Sequence, residues 1–147
     1  MEIKYFNSNF DKITQNKDTD QSITNVIEKL PSLNIISDKN LLEETIKISN
    51  QFKEKKEKII VFGTGGSNLG ARALNNIISN NKIILEFYDN VDPINFEKNF
   101  QNINFELTGF LVISKSGTTP ETLSQFSCLY QKAIEANKVE DFFSNTL

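Results

Sequence analysis

Ile59-Ile60-Val61-Phe62-Gly63-Thr64-Gly65-Gly66-Ser67-Asn68-Leu69-Gly70 decides how this chain is read. Four apolar residues, three of them β-branched, run into a glycine-rich loop. Helical spacing then begins, with Leu69, Ala73, Leu74, Ile77 and Ile78 recurring on one side. A short continuous apolar run bounded by turn residues reads as a strand buried on both faces, and a 3.6-residue period reads as a helix. The stretch therefore predicts a strand at Ile59–Phe62, a glycine turn, and a helix at Leu69–Ser79.

The same alternation continues downstream. Ile83–Tyr88 is a second predicted strand and Asn95–Gln101 a short helix. Phe110–Ile113 is a third strand, and Glu121–Asn137 a helix with Leu123, Phe126, Tyr130, Ala133 and Ile134 on one face. The order β-α-β-α-β-α predicts an α/β fold: three layers, α/β/α, around a parallel sheet. Val139–Leu147 reads as a connection that ends where a fourth strand would begin. Three parallel strands make a small sheet whose edges need cover, so a domain cut short is the expectation.

Upstream the pattern is purely helical. Ile23–Leu30 reads as a short helix closed by Pro31. A second helix, capped by Asp38 or Asn40, carries Leu41, Leu42, Thr45, Ile46, Ile48 and Phe52 at helical spacing. The mixed-sign run Lys53–Lys58 reads as a solvated helix end. The organisation expected is an N-terminal helical or irregular segment, 1–37, followed by a partial α/β domain, 38–147.

The chain has 147 residues, which is one domain's worth. Sixteen Lys and Arg against nineteen Asp and Glu leave a net charge of -3, and Arg72 is the single arginine. Nucleic-acid binders favour a basic surplus rich in Arg, so no nucleic-acid partner is expected. No apolar run is long enough to span a bilayer, and the N-terminus lacks the order of a signal peptide; no membrane partner and a cytoplasmic location are expected. Cys128 is the lone cysteine and histidine is absent. That excludes Ser-His-Asp catalysis, His-ligated metals and an internal disulfide within this chain.

Two strand-to-helix loops carry the chemistry. In the first, glycines permit close backbone approach, the following helix start offers free N–H groups to an anion, and Ser67 reads as the helix cap. An ordinary tight turn would also account for it. The Walker pattern fails, because Gly70 precedes Ala71-Arg72, and the dinucleotide fingerprint fails at Asn68. Asp89, near the end of the second strand, keeps a dinucleotide reading open. The second loop is Ser114-Lys115-Ser116-Gly117-Thr118-Thr119-Pro120-Glu121. Thr119 before Pro120, or Thr118 with Glu121 as a capping box, explains two of its polar residues. Hydroxyl or ammonium groups at five of the six positions 114 to 119 suit a phosphate. If the first and third strands are neighbours and the second lies outside the first, both loops flank a switch point of the sheet, where ligands of open α/β folds bind.

At these residues the sequence resembles the glucose-6-phosphate isomerase family: Gly63–Gly70 (GTGGSNLG) is similar to its glycine-serine signature, and Ser114–Thr122 (SKSGTTPET) to its second phosphate-binding signature. The resemblance spans roughly residues 38–147. It implies a sugar isomerase (SIS-type, flavodoxin-like) domain, and Gly66, Ser67, Ser114, Lys115, Ser116 and Thr119 match positions that hold the sugar phosphate. Glu121 matches an acidic position near the site, though a first-turn glutamate needs no such role. The implied reaction is glycolytic aldose–ketose isomerisation between glucose 6-phosphate and fructose 6-phosphate through a cis-enediol, with no cofactor and no metal, in a homodimer. The family's base, histidine, lysine and arginine come from later segments, so no catalytic residue is assigned here. The expectation is the N-terminal, phosphate-binding part of a longer enzyme. A non-catalytic SIS-type module that binds or senses phosphosugars is the alternative.

Overall fold

The structure is a computed structural model that describes residues 17–30, 35–78 and 82–147. Two compact units meet between Lys47 and Ile48. The first carries α1 (Lys17–Lys29), a 3-10 turn at Ile35–Ser37 and most of α2 (Lys39–Phe52). Ile23, Val26 and Ile27 line one side of α1 and remain about half exposed. Asp38 caps α2, its Oδ1 accepting from the Leu41 N–H at 3.0 Å. Asn40, the other expected cap, already lies inside the helix. The expected closure at Pro31 falls outside the described residues.

The second unit is the α/β body. β1 (Lys58–Phe62), α3 (Leu69–Ile77), β2 (Ile84–Tyr88), α4 (Pro93–Phe100), β3 (Thr108–Val112), α5 (Pro120–Glu135) and α6 (Val139–Ser144) follow in order. Every strand and helix expected from Ile59 onward is present, with ends shifted by at most a few residues. The start of α4 shifts because Asp92 caps it, accepting from the Ile94 and Asn95 N–H groups, with Pro93 at the first helical position. These bonds, first from the Asn95 backbone and then from its side chain, hold the Asp92 carboxyl below the usual carboxylate range. Their contribution to stability is present above the ordinary Asp pKa and is lost as pH falls through the lowered one.

The sheet is parallel, ordered β2-β1-β3. β1 is central, and its residues from Ile59 to Phe62 are buried on both faces, as the unbroken apolar run requires. Right-handed crossovers from β1 to β2 and back across to β3 place α3 and α4 on opposite faces. The α4 face holds the main core. Ile60, Phe62 and Phe110 meet Phe96 and Phe100 of α4, Leu129 and Ala133 of α5 and Phe142 of α6. Phe142 alone stands within ring-contact distance of Phe105, Phe110, Phe126, Tyr130 and Phe143. The opposite face is thinner. Phe52 lies across it over Gly109, where a Cβ would come within 2.8 Å of the ring. Leu69, Leu74 and Ile77 of α3 stay 57–76% exposed, so the helical period predicted that helix correctly but not the burial of its apolar side.

The segment read as a connection, Val139–Leu147, is a correction. Its first six residues form α6, because Phe142 is drawn into the aromatic core and α5 ends before it: Asn137 turns at φ 54° and the Lys138 N–H donates back to Ala133 O at 2.8 Å. The last three residues then pair with β3: the Phe110 N–H donates to Asn145 O at 2.8 Å and the Leu147 N–H to Phe110 O at 2.9 Å. This is a single parallel bridge, Phe110 to Thr146, outside the three-stranded sheet. Lys56 and Asn145 bond to one another, and both reach carbonyls in the Phe105–Glu106 turn, which fixes this segment from below.

Replacing Phe142 with Ala removes the ring that joins α6 to α5, β3 and the Phe105 turn. A loss of about 3–5 kcal/mol is expected, read from urea unfolding; a loss below about 1 kcal/mol would show that this ring does not hold the core.

Candidate functional site

Neighbouring strands bring the two loops together. Phe62 and Val112 are partners in the β1–β3 register, and the Ile113 N–H donates to Phe62 O at 2.8 Å. The chain leaves both strands at the same height, at the C-terminal edge, and β1 is the strand on either side of which the connections diverge. That is the switch point of an open parallel sheet.

In the first loop Gly63 is buried against the second. A Cβ there would stand 3.1 Å from Ser67 Cβ and 3.3 Å from Ile113 O, so a side chain at 63 would push one loop off the other. Gly65 turns the chain at φ +54° into a single 3-10 turn, Gly65–Ser67. Here the sequence reading needs correcting: Ser67 does not cap α3. It lies within the 3-10 turn, and Asn68 takes the cap position. The short turn takes up Ser67, and the helix begins at Leu69, as the spacing predicts. Gly66 is exposed and Ser67 half-buried.

The second loop folds on itself through its hydroxyls. Ser114 Oγ and Thr119 Oγ1 lie 2.9 Å apart, and Ser114 Oγ also accepts from the Gly117 N–H at 3.0 Å. Ser116 Oγ accepts from the Thr118 hydroxyl at 3.0 Å and from its N–H at 3.2 Å. Thr118 is therefore engaged with Ser116 and not in a capping box with Glu121, and Thr119 precedes α5 without a side-chain cap. With its cap left open, the start of α5 keeps free N–H groups beside the hydroxyl cluster. Lys115 and Ser116 are exposed, Ser114 and Thr119 half-buried, and Glu121 is exposed in the first turn of α5.

Of the sequence-derived residues, Gly66, Ser67, Ser114, Lys115, Ser116 and Thr119 all fall on these two touching loops, with Glu121 at the rim. Asp89 follows β2 directly and pairs with Arg72 of α3 at 2.8 Å. Three buried groups escaped the sequence reading. Asn68 is 1% exposed, and its Nδ2 donates to Gly63 O at 2.6 Å. Thr122 and Gln125, on the buried side of α5, are 1% and 2% exposed, and Gln125 Nε2 donates to Asn90 O at 2.9 Å. Nothing in residue type alone separates them from surface polar residues. A groove of about 530 Å³ between α4 and α5, lined in part by Phe96 and Cys128, is a separate feature.

Fold and loops define the class: an open parallel α/β domain with a glycine loop and a hydroxyl-rich loop side by side at its switch point. The phosphoglucose isomerase family model matches residues 13–146, and the chain belongs to that family. It is 36% identical over 95 residues to the glucose-6-phosphate isomerase of Campylobacter jejuni, covering 63% of this chain and 23% of that protein. It is 42% identical over 83 residues to the probable glucose-6-phosphate isomerase of Methanococcus maripaludis, covering 52% and 19%. The crystal structure of a glucose-6-phosphate isomerase from Chlamydia trachomatis superposes with a TM-score of 0.57 at 27% identity, over 64% of this chain and 19% of that one. The chain thus spans about a fifth of the length of the relatives it matches. Among the described residues no helix is long and apolar enough to cross a membrane.

Gly63→Ala tests the contact between the loops. The displaced Ile113 carbonyl belongs to backbone and has little room to yield, so a destabilisation of about 1–3 kcal/mol is expected. Urea unfolding measures it, and an unchanged midpoint would mean that the loops do not touch.

Proposed function

We propose that the chain is the phosphate-binding part of a glucose-6-phosphate isomerase and that its two loops hold the phosphate of glucose 6-phosphate or fructose 6-phosphate. The observation that carries this reading is the convergence at Gly63. There the glycine loop after β1 lies directly on the exit of β3, and the hydroxyls of Ser114, Ser116 and Thr119 cluster just beyond. The names of the relatives support it. The hydroxyls satisfy one another. A phosphate would replace those neutral pairs with hydrogen bonds to a charged acceptor, each worth about 1.5–3 kcal/mol. Lys115 adds a cation, and Gly66 and Ser67 approach from the other loop. Glu121 is the acidic residue at the rim.

The phosphate serves as a remote handle. Its binding energy positions the carbons between which a proton moves, so that ring opening and transfer between C1 and C2 through a cis-enediol occur at groups other than these loops. The chain holds no histidine, and the loops hold donors rather than a base. This division of labour, in a cytoplasmic homodimer, is the reading the family supports.

Calorimetry with fructose 6-phosphate tests it. The chain is expected to bind saturably, and Ser114→Ala with Thr119→Ala to weaken binding by about tenfold or more. The chain alone is expected to give no measurable isomerisation in a coupled assay. Absence of saturable binding would sink the phosphate site, and robust turnover would sink the division of labour.

A further inference from the structure

Asn68 occupies the position from which an Asn side chain normally caps a helix, accepting from the N–H two or three residues ahead. It does not do so here: no side chain caps the first turn of α3. Its amide turns backward, Nδ2 donating to Gly63 O across the loop at 2.6 Å, while its own N–H donates to Gly65 O at 3.2 Å and its carbonyl accepts from the Arg72 N–H at 2.9 Å. The side chain is 1% exposed, and its Oδ1 has no protein partner. Burying a polar atom without a partner is costly, and an ordinary cap would have satisfied it.

We infer that Asn68 is a positioning residue for the anion site. It clasps the entry of the glycine loop to its exit and, by facing backward, leaves the N–H groups of Leu69, Gly70 and Ala71 unclaimed for a phosphate oxygen. This rests on the phosphate reading above, and it assigns a role to a residue that never touches the ligand. Two features make the backward bond specific. Only an amide is both short enough to stay buried here and able to donate to Gly63 O. Serine would be drawn forward into an ordinary cap, and aspartate cannot donate when ionised. The loop it closes is the one whose Gly63 lies against Ile113 O, so opening the clasp would also loosen the contact with the hydroxyl loop.

Asn68→Asp is the informative variant because it preserves shape and makes the clasp titratable. A buried carboxyl titrates above the ordinary Asp value. The charged groups on the elements around it are Arg72 of α3, Asp89 at the end of β2, Lys115 in the β3 loop and Glu121 at the start of α5. The first two pair with each other. Parent and variant share all four, and the ligand's own titration as well, so the ratio of their dissociation constants isolates the new carboxyl. With fructose 6-phosphate as probe, the variant is expected to bind about tenfold or more weakly than the parent at pH 7.5. The ratio should fall toward one near pH 5, where the protonated carboxyl again donates to Gly63 O. A merely structural defect would give a ratio that pH does not move. Asn68→Ser is the second variant: its hydroxyl caps α3 and takes up the free N–H groups, so affinity should fall while the melting temperature stays within a few degrees.

Amide hydrogen exchange over residues 63 to 69, without ligand, separates this inference from the phosphate reading. If the parent fails to bind fructose 6-phosphate, that reading is lost, and the clasp stands or falls on exchange alone. Faster exchange in Asn68→Asp at pH 7.5, restored at pH 5 relative to the parent, supports it. Equal protection at both pH values, or equal affinity in parent and both variants, overturns it.

Discussion

Ile113 N–H donates to Phe62 O, and this 2.8 Å bond closes the C-terminal end of the β1–β3 pair. Everything at the site depends on it. The glycine loop begins at Gly63 and the hydroxyl loop at Ser114, 51 residues further along the chain. The parallel pairing makes them adjacent, and β2 is kept to the outside of β1. With β2 between β1 and β3 the same two loops would stand a full strand further apart, about 4.8 Å.

What secures the pairing is the aromatic core beneath it. Phe62 and Phe110 are fully buried on one side of the sheet, locked by Phe100 of α4 and Phe142 of α6. Three strands alone would not hold a register against slippage. The asymmetry of the two faces is instructive. Residues from α4, α5 and α6 pack one face closely, whereas the other has Phe52 and the exposed apolar side of α3. The hydroxyl loop leads into α5, whose Leu129 and Ala133 belong to the closely packed face.

In the hydroxyl loop the side-chain donors satisfy one another. Ser114 and Thr119 face each other, and Ser116 faces Thr118. These are neutral bonds that an incoming charged acceptor can replace at little cost, because each charge-assisted bond is the stronger. At the glycine loop the residue in the cap position, Asn68, is turned away from the start of α3 and buried.

Composition, periodicity and loop chemistry in the sequence determined the α/β class, the sequence positions of the strands and the two loops that matter. These are local properties: an apolar run such as Ile59–Phe62 has few alternatives to a buried strand, and serine, threonine and lysine beside a glycine turn advertise anion chemistry wherever they fold. The family signature was legible for the same reason, being carried by contiguous residues. What only the tertiary structure decided was direction and burial. Ser67 and Asn68 are both good cap residues on paper, and a single 3-10 turn gave the position to Asn68. Val139–Ser144 became helical because Phe142 found an aromatic socket made from α5, β3 and the Phe105 turn, residues that no local window contains. The pattern marked the apolar side of α3 without revealing that it would stay exposed, since periodicity shows which residues share a side and packing alone decides what covers it.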